Sequence, residues 1–271
     1  MYKLICVDLD GTLLDSHSRV SLRNKEAIRK ALDSGINVAI VSGRPNCFTI
    51  RIMDQISGRM GHITFNGAYY RIANKSKTFP IDPEVVNNIA AMAKAYQVRL
   101  YFKNKNLCLC TKSDPGILDY DRFKEQTPIK DRMDMYYNVD VVEYLKTHQM
   151  NVLKIFAWDE EWDNCAKIAK ILAAEKRINL FVYDDYFELS SAQTSKGKAI
   201  VNVCKDLDIP LDEVMCIGDN FNDMPMFEVA GLSVAMANAP QQVREYCDKV
   251  TLSNDENGVA YAIEHYALEE L

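Results

Sequence analysis

Two aspartates one residue apart, Asp8 and Asp10, close an apolar run and are followed at once by Gly11 and Thr12 in the stretch VDLDGTLLD. Like charges a few ångströms apart disfavour joint ionisation, so such a pair needs a cation or a proton beside it. Three further clusters hold groups suited to charged ligands: Ser42-Gly43-Arg44, Lys196, and GDNFNDMPM over 218–226, with Asp219, Asn222 and Asp223. Mg²⁺ suits the carboxylates, because it is typically held by one or two of them together with water and substrate phosphate. Period-two alternation sets Asp8 and Asp10 on one side of the chain if the backbone stays extended. Asp219, from a separate strand, completes the predicted metal set, with Asp223 as an outer support.

Lys196 points to an anion independently. TSKGKAIVNVCKDL reads as a helix capped by Ser195, with Ala199, Ile200, Val203 and Leu207 as its apolar face, so Lys196 falls in the first turn. A cation there opposes the helix dipole by about 0.3–1 kcal/mol, and a phosphate bound at that end reverses the sign. On this argument alone, Lys196→Ala leaves the fold as stable or slightly more so. Each cluster also has a plainer account: Asp-x-Asp-Gly and Ser-Gly-Arg as turns, Lys196 as a solvated side chain, Asp219 and Asp223 as loop and cap residues. Their joint occurrence on one edge is what favours a site.

That edge is set by the elements around it. KLICV (3–7), NVAIV (37–41), HITF (62–65), EVMCI (213–217), LSVAM (232–236) and KVTL (249–252) read as strands, and a helix is predicted over Ser21–Asp33 with Gly35 as its stop. Short β-branched runs alternating with helical patterns indicate a parallel α/β sheet. Every polar cluster follows a strand or opens a helix, at the sheet edge where such folds bind ligands. The segment 81–190 reads as a separate α+β insertion between the third and fourth strands. It holds a helix begun by Asp82 and Pro83, a hairpin over 98–111, the strand VLKIFA (152–157), a helix over 159–175, and strands at NLFVY and FELS.

Composition narrows the partners. With 32 Lys+Arg against 38 Asp+Glu and a net charge of −6 over 271 residues, the chain lacks the basic footprint of a nucleic-acid or anionic-membrane binder. Its eight cysteines show no paired CxxC spacing, and the N-terminus reaches aspartate by position 8, which together predict a cytoplasmic setting. No apolar run approaches the roughly 18 residues needed to cross a bilayer.

The whole set resembles the haloacid dehalogenase superfamily, specifically its Cof-type phosphatases with a type IIB α/β cap. The resemblance rests on DLDGTLLD, SGR, NGA (66–68), SKG (195–197), GDNFNDMPMFEVAG (218–231), VAMANAP (234–240) and DENGVAYAI (255–263). It departs at SAQTSKG, which lacks the glycine usual before the lysine, and at Ser42, where threonine is common. The resemblance implies a Rossmann-like catalytic core over 1–80 and 191–271 and a substrate-specificity cap over 81–190. It further implies Asp8 as nucleophile forming an aspartyl-phosphate and Asp10 as acid and base. Mg²⁺ is expected on Asp8, Asp219 and the Asp10 carbonyl. The phosphoryl oxygens are expected on the Leu9 and Gly43 amides, Ser42, Lys196 and Asn222. Asp223 is expected to orient Lys196 or a metal-bound water, and Thr12 to stabilise the turn.

The function so implied is a Mg²⁺-dependent phosphatase of small phosphorylated metabolites, with sugar phosphates as the leading class. A phosphomutase of the phosphomannomutase type is the alternative, and a non-catalytic phosphometabolite sensor a third. The mutase needs a second phosphate clamp, ideally of arginines, and Arg99, Arg122, Arg132 and Arg177 are isolated in the sequence.

Overall fold

In the computed structural model, which describes residues 1–113, 127–160 and 162–268, LICVD forms β1 (Leu4–Asp8), buried along its whole length. A turn leads to α1 (Leu22–Asp33), whose N-cap Ser21 accepts a hydrogen bond from the Asn24 amide and whose Ala27, Ile28 and Ala31 are buried. Then come β2 (Asn37–Val41), α2 (Asn46–Asp54) and β3 (Gly61–Thr64). Two strands that the sequence pattern does not announce follow: β4 (Tyr69–Ile72), antiparallel to β3, and β5 (Lys75–Thr78). The insertion therefore leaves the sheet after its fifth strand, not its third.

The segment Thr78–Thr194 is a unit of its own. Asp82 accepts from the Glu84 and Val85 amides and starts α3 (Pro83–Tyr96), which buries Val85, Val86, Ile89 and Ala93. β6 (Leu100–Lys103) and β7 (Leu107–Cys110) form the expected hairpin, in whose turn Asn104 Oδ1 accepts from the Asn106 and Leu107 amides. The short β8 (Asp134–Tyr136) and α4 (Val141–Thr147) were not signalled by periodicity. β9 (Lys154–Trp158), α5 (Trp162–Leu172), β10 (Ile178–Val182) and β11 (Tyr186–Ser191) complete a sheet of order β10-β11-β9-β6-β7-β8. One apolar cluster joins α3 and α5 to Leu100, Phe102, Ile155 and Phe187 of that sheet. Arg122 lies outside the described residues.

The chain returns to the first unit, Met1–Lys77 with Ser195–Leu271, through α6 (Lys196–Leu207), β12 (Val214–Gly218), α7 (Met224–Phe227), β13 (Leu232–Ala235), α8 (Gln241–Tyr246), β14 (Lys249–Val250) and α9 (Gly258–Ala262). Its sheet runs β14-β13-β12-β1-β2-β3-β4-β5, parallel from β14 to β3. This is an α/β fold with β1 at the centre. Asp8 pairs in register with Val41, and Val7 with Ile217, so Ser42 and Asp219 leave their strands beside Asp8. All eight cysteines are free thiols, seven of them buried. Among the described residues no helix is long and apolar enough to cross a membrane.

Candidate active site

Asp8 ends β1 with its side chain buried, and its neighbours Val7 and Leu9 are wholly buried too. Lys196 Nζ donates to Asp8 Oδ1 at 2.5 Å and to Asp223 Oδ1 at 2.5 Å. The lysine is 2% exposed, so it is no solvated side chain at a helix start. Its helix is seated tightly, because a Cβ on Gly197 would lie 1.8 Å from the Pro225 carbonyl oxygen. Only glycine permits that approach, and Ser195 caps the same turn by accepting from the Lys198 amide at 3.0 Å.

Asp223 is fixed from both sides. Its Oδ2 accepts the amides of Asp219 and Asn220, each at 3.0 Å, which leaves Oδ1 for Lys196. Asp219 is held by Thr12, whose hydroxyl donates to Oδ1 at 2.7 Å. Thr12 thus acts across the sheet edge on Asp219, beyond the turn it was expected to stabilise. Gly11, at φ 74, lets the turn pass, and a Cβ there would lie 2.5 Å from Asp219 Oδ2. The Gly11 carbonyl accepts from Asn238 Nδ2 at 2.8 Å.

Three carboxylates, Asp8, Asp219 and Asp223, have oxygens within 4.8 Å of one another, against the one ammonium of Lys196. Burial pushes Asp8 up to about 8, with Asp223 and Asp219 adding to the rise and Lys196 opposing it. Asp219 is pushed up to about 6, again chiefly by burial. Burial works against the Lys196 charge, but Asp8 and Asp223 outweigh it and hold the ammonium above its ordinary value. Surplus buried negative charge of this kind is relieved by a proton or a cation. The donor set, oxygen only, fits a hard divalent ion.

Asp10 does not share that environment. Arg44 donates to both of its oxygens, Nε to Oδ2 at 2.8 Å and NH2 to Oδ1 at 2.5 Å, and the Asp10 side chain is 52% exposed. The repulsion expected between Asp8 and Asp10 is thus divided between two cations, Lys196 inside and Arg44 outside. In side-chain terms the acidic group contains Asp223 where the sequence suggested Asp10, whose expected contribution was its backbone carbonyl. Ser42 is buried, and its hydroxyl accepts from the Arg44 amide at 3.1 Å. Gly43 is partly exposed, with Asn66 beside it: a Cβ on Gly43 would lie 2.7 Å from Asn66 Oδ1. Asn222 is exposed on the Phe221–Asp223 turn. Arg44, quoted in the sequence within Ser-Gly-Arg but given no role there, is the residue that the structure adds to this group, and its only signal was a place two residues after Ser42.

A model of the haloacid dehalogenase-like hydrolases matches residues 5–263. The chain is 29% identical to Phosphatase YwpJ of Bacillus subtilis (strain 168), covering 97% of this chain and 99% of that protein. It is 28% identical to the 5-amino-6-(5-phospho-D-ribitylamino)uracil phosphatase YwtE of the same organism, covering 97% of each. Among solved structures, that of TM0651 from Thermotoga maritima superposes with a TM-score of 0.85 at 28% identity, covering 98% of both chains.

Proposed function

Because the chain belongs to the haloacid dehalogenase-like hydrolases, we propose that it is a Mg²⁺-dependent phosphatase of small phosphorylated metabolites, with sugar and polyol phosphates as the substrate class. The observation that carries this reading is the buried Lys196 shared between Asp8 and Asp223 beside Asp219. Such a group combines a nucleophile, a cation for phosphoryl oxygens and a carboxylate excess at the ends of parallel strands. The polyol part of the class draws on the relative named for a phosphoribityl compound.

In this mechanism an Asp8 oxygen attacks phosphorus, the new Asp8–phosphorus bond forms, and the bond to the ester oxygen breaks with its electron pair staying on the leaving group. Asp10 gives that oxygen a proton. Water then attacks phosphorus, passes a proton to Asp10 and releases Asp8 and phosphate, which returns both residues to their starting states. Lys196, the Ser42 hydroxyl, the Leu9 and Gly43 amides and Asn222 hold the phosphoryl oxygens, a task of positioning and charge neutralisation. Asp8, Asp219 and Asp223 would hold the divalent ion, with the Asp10 carbonyl. When bound, it supplies positive charge that offsets the surplus carboxylates and shields Asp8 from the incoming phosphate. We assign substrate selection to the unit Thr78–Thr194.

Water as acceptor, in preference to a second sugar hydroxyl, is supported by the described arginines of that unit. Arg177 is engaged by Glu175, Glu84 and Asp82, while Arg99 and Arg132 donate to the carbonyls of Ser113 and Thr127. The test is a panel of phosphate esters with Mg²⁺ or with EDTA, using wild type and Asp8→Asn. Mg²⁺-dependent phosphate release by wild type, lost in Asp8→Asn, is expected. Substantial turnover by that variant would sink the covalent route, and bisphosphate-dependent isomerisation of a hexose 1-phosphate with little phosphate released would favour the mutase.

A further inference from the structure

Asp10 sits on a turn with half of its side chain in solvent, a poor place for a group that must meet one oxygen of a substrate. What restrains it is Arg44, which grips both carboxylate oxygens in a two-point fork. The base of that fork is itself pinned. The Arg44 amide donates to Ser42 Oγ at 3.1 Å, its carbonyl accepts from the Phe65 amide at 3.1 Å, and the Ser42 carbonyl accepts from the Asn66 amide at 3.2 Å. Phe65 and Asn66 both adopt left-handed backbone, at φ 54 and φ 55. A buried phenylalanine held there is strained, and such strain persists only where the surroundings enforce it. The loop that carries Ser42 is thereby tied to the loop after β3, and Arg44 extends from a rigid base.

We infer that Arg44 is a positioning residue for proton transfer: it sets the place and rotation of the Asp10 carboxylate, and so couples the phosphate-facing loop Ser42–Arg44 to the acid and base of the reaction. The inference rests on the phosphatase reading. A carboxylate has about four lone-pair sites, so one gripped at two of them keeps others with which to take and give a proton. Without the guanidinium, Asp10 remains chemically competent but turns freely, and the loss falls on the step that needs the proton. An ordinary exposed ion pair would contribute little and would have no such selectivity.

The leaving group separates these cases. 4-Nitrophenyl phosphate departs without much help from an acid, whereas phenyl phosphate, nearly the same shape, needs the proton. Arg44→Ala is expected to lower kcat about tenfold more on phenyl than on 4-nitrophenyl phosphate, with any KM change equal for the two. Arg44→Lys keeps the charge but not the fork, and is expected to show the same selectivity. Asp10→Asn combined with Arg44→Ala is expected to be no worse than Asp10→Asn alone, because the arginine acts only through that carboxylate. Equal KM increases on both esters with kcat unchanged would make Arg44 a phosphate ligand only. Unchanged kinetics on both would make the pair a surface contact, and either result overturns the inference. Circular dichroism of each variant confirms the fold. If wild type fails to turn over either ester with Mg²⁺, the phosphatase reading falls and this one with it. If wild type is active and the leaving-group dependence is unaltered in the variants, only the role of Arg44 falls.

Discussion

Lys196→Met removes the charge while keeping most of the side chain's volume, so it isolates the ion pairs from the packing. In the folded protein this leaves Asp8, Asp219 and Asp223 with oxygens within 4.8 Å of one another and no ammonium among them. Removing one partner of a buried ion pair costs about 3–5 kcal/mol. Relief from the positive helix end offsets about 0.3–1 kcal/mol, which leaves a net loss of about 2–5 kcal/mol near pH 8. This reverses the expectation drawn from the helix position alone, because burial outweighs the dipole. The loss should shrink on acidification. Burial pushes Asp219 up to about 6, and Lys196 opposes that rise. Without the ammonium the Asp219 carboxyl rises further, so between the two values the folded variant keeps a proton that wild type has lost, and the deficit grows as pH rises above about 6 and is smaller below it. Asp8, protonated in both folded proteins below about 8, adds no difference in that range. Urea unfolding in EDTA at about pH 8 and about pH 5.5 measures both effects. A variant as stable as wild type at the higher pH, or a deficit that grows on acidification, would refute the reasoning.

Two further outcomes follow from residues to which the mechanism gives no chemical step. His62 is fully buried in β3, neither ring nitrogen has a hydrogen-bond partner among the described residues, and burial with nearby Arg71 pushes it down to about 3. It charges in the unfolded chain but not in the folded one between about 6.5 and 3, so stability present above that window falls by about 1.4 kcal/mol per pH unit as pH drops through it. His62→Leu should flatten the slope of urea midpoint against pH between 7 and 5, and an unchanged slope would remove the histidine from the account. Gly197→Ala places a methyl 1.8 Å from the Pro225 carbonyl oxygen; since that contact is backbone, a destabilisation of more than about 2 kcal/mol is expected in thermal unfolding.

Local signals were legible wherever one short stretch carried them. Asp82 and Ser195 cap the helices they are expected to cap, because a short polar side chain before a helical pattern has few other uses, and Ser21, expected as the first residue of its helix, is its N-cap. β2 over Asn37–Val41 follows directly from an apolar run buried on both faces. β5 could not be read, since all four residues of KSKT are exposed and carry no alternation. β8 is three residues long and mostly exposed. In the site, Asp8, Lys196 and Asp219 stood out by position, but burial of Lys196 is a tertiary property that no window around it encodes. The pairing of Asp10 with Arg44, 34 positions apart, is likewise set by the register of β1 against β2.

The charge arrangement also makes the parts of the site inseparable. Asp223 holds Lys196 with one oxygen and the Asp219 and Asn220 amides with the other, so the carboxylate that fixes the lysine also fixes the backbone from which Asp219 projects. That geometry needs glycines at the crossing points: a Cβ on Gly218 would lie 2.6 Å from Asp223 Oδ2, and one on Gly11 2.5 Å from Asp219 Oδ2. With three carboxylates against one ammonium, the group carries more negative charge than its buried setting tolerates. A proton on Asp8 and a divalent cation among the carboxylates are then alternative remedies for the same surplus, so each weakens the need for the other. On the proposed mechanism this competition gives the cluster its character: Asp8 would be freed to act as a nucleophile by whatever cation takes the proton's place.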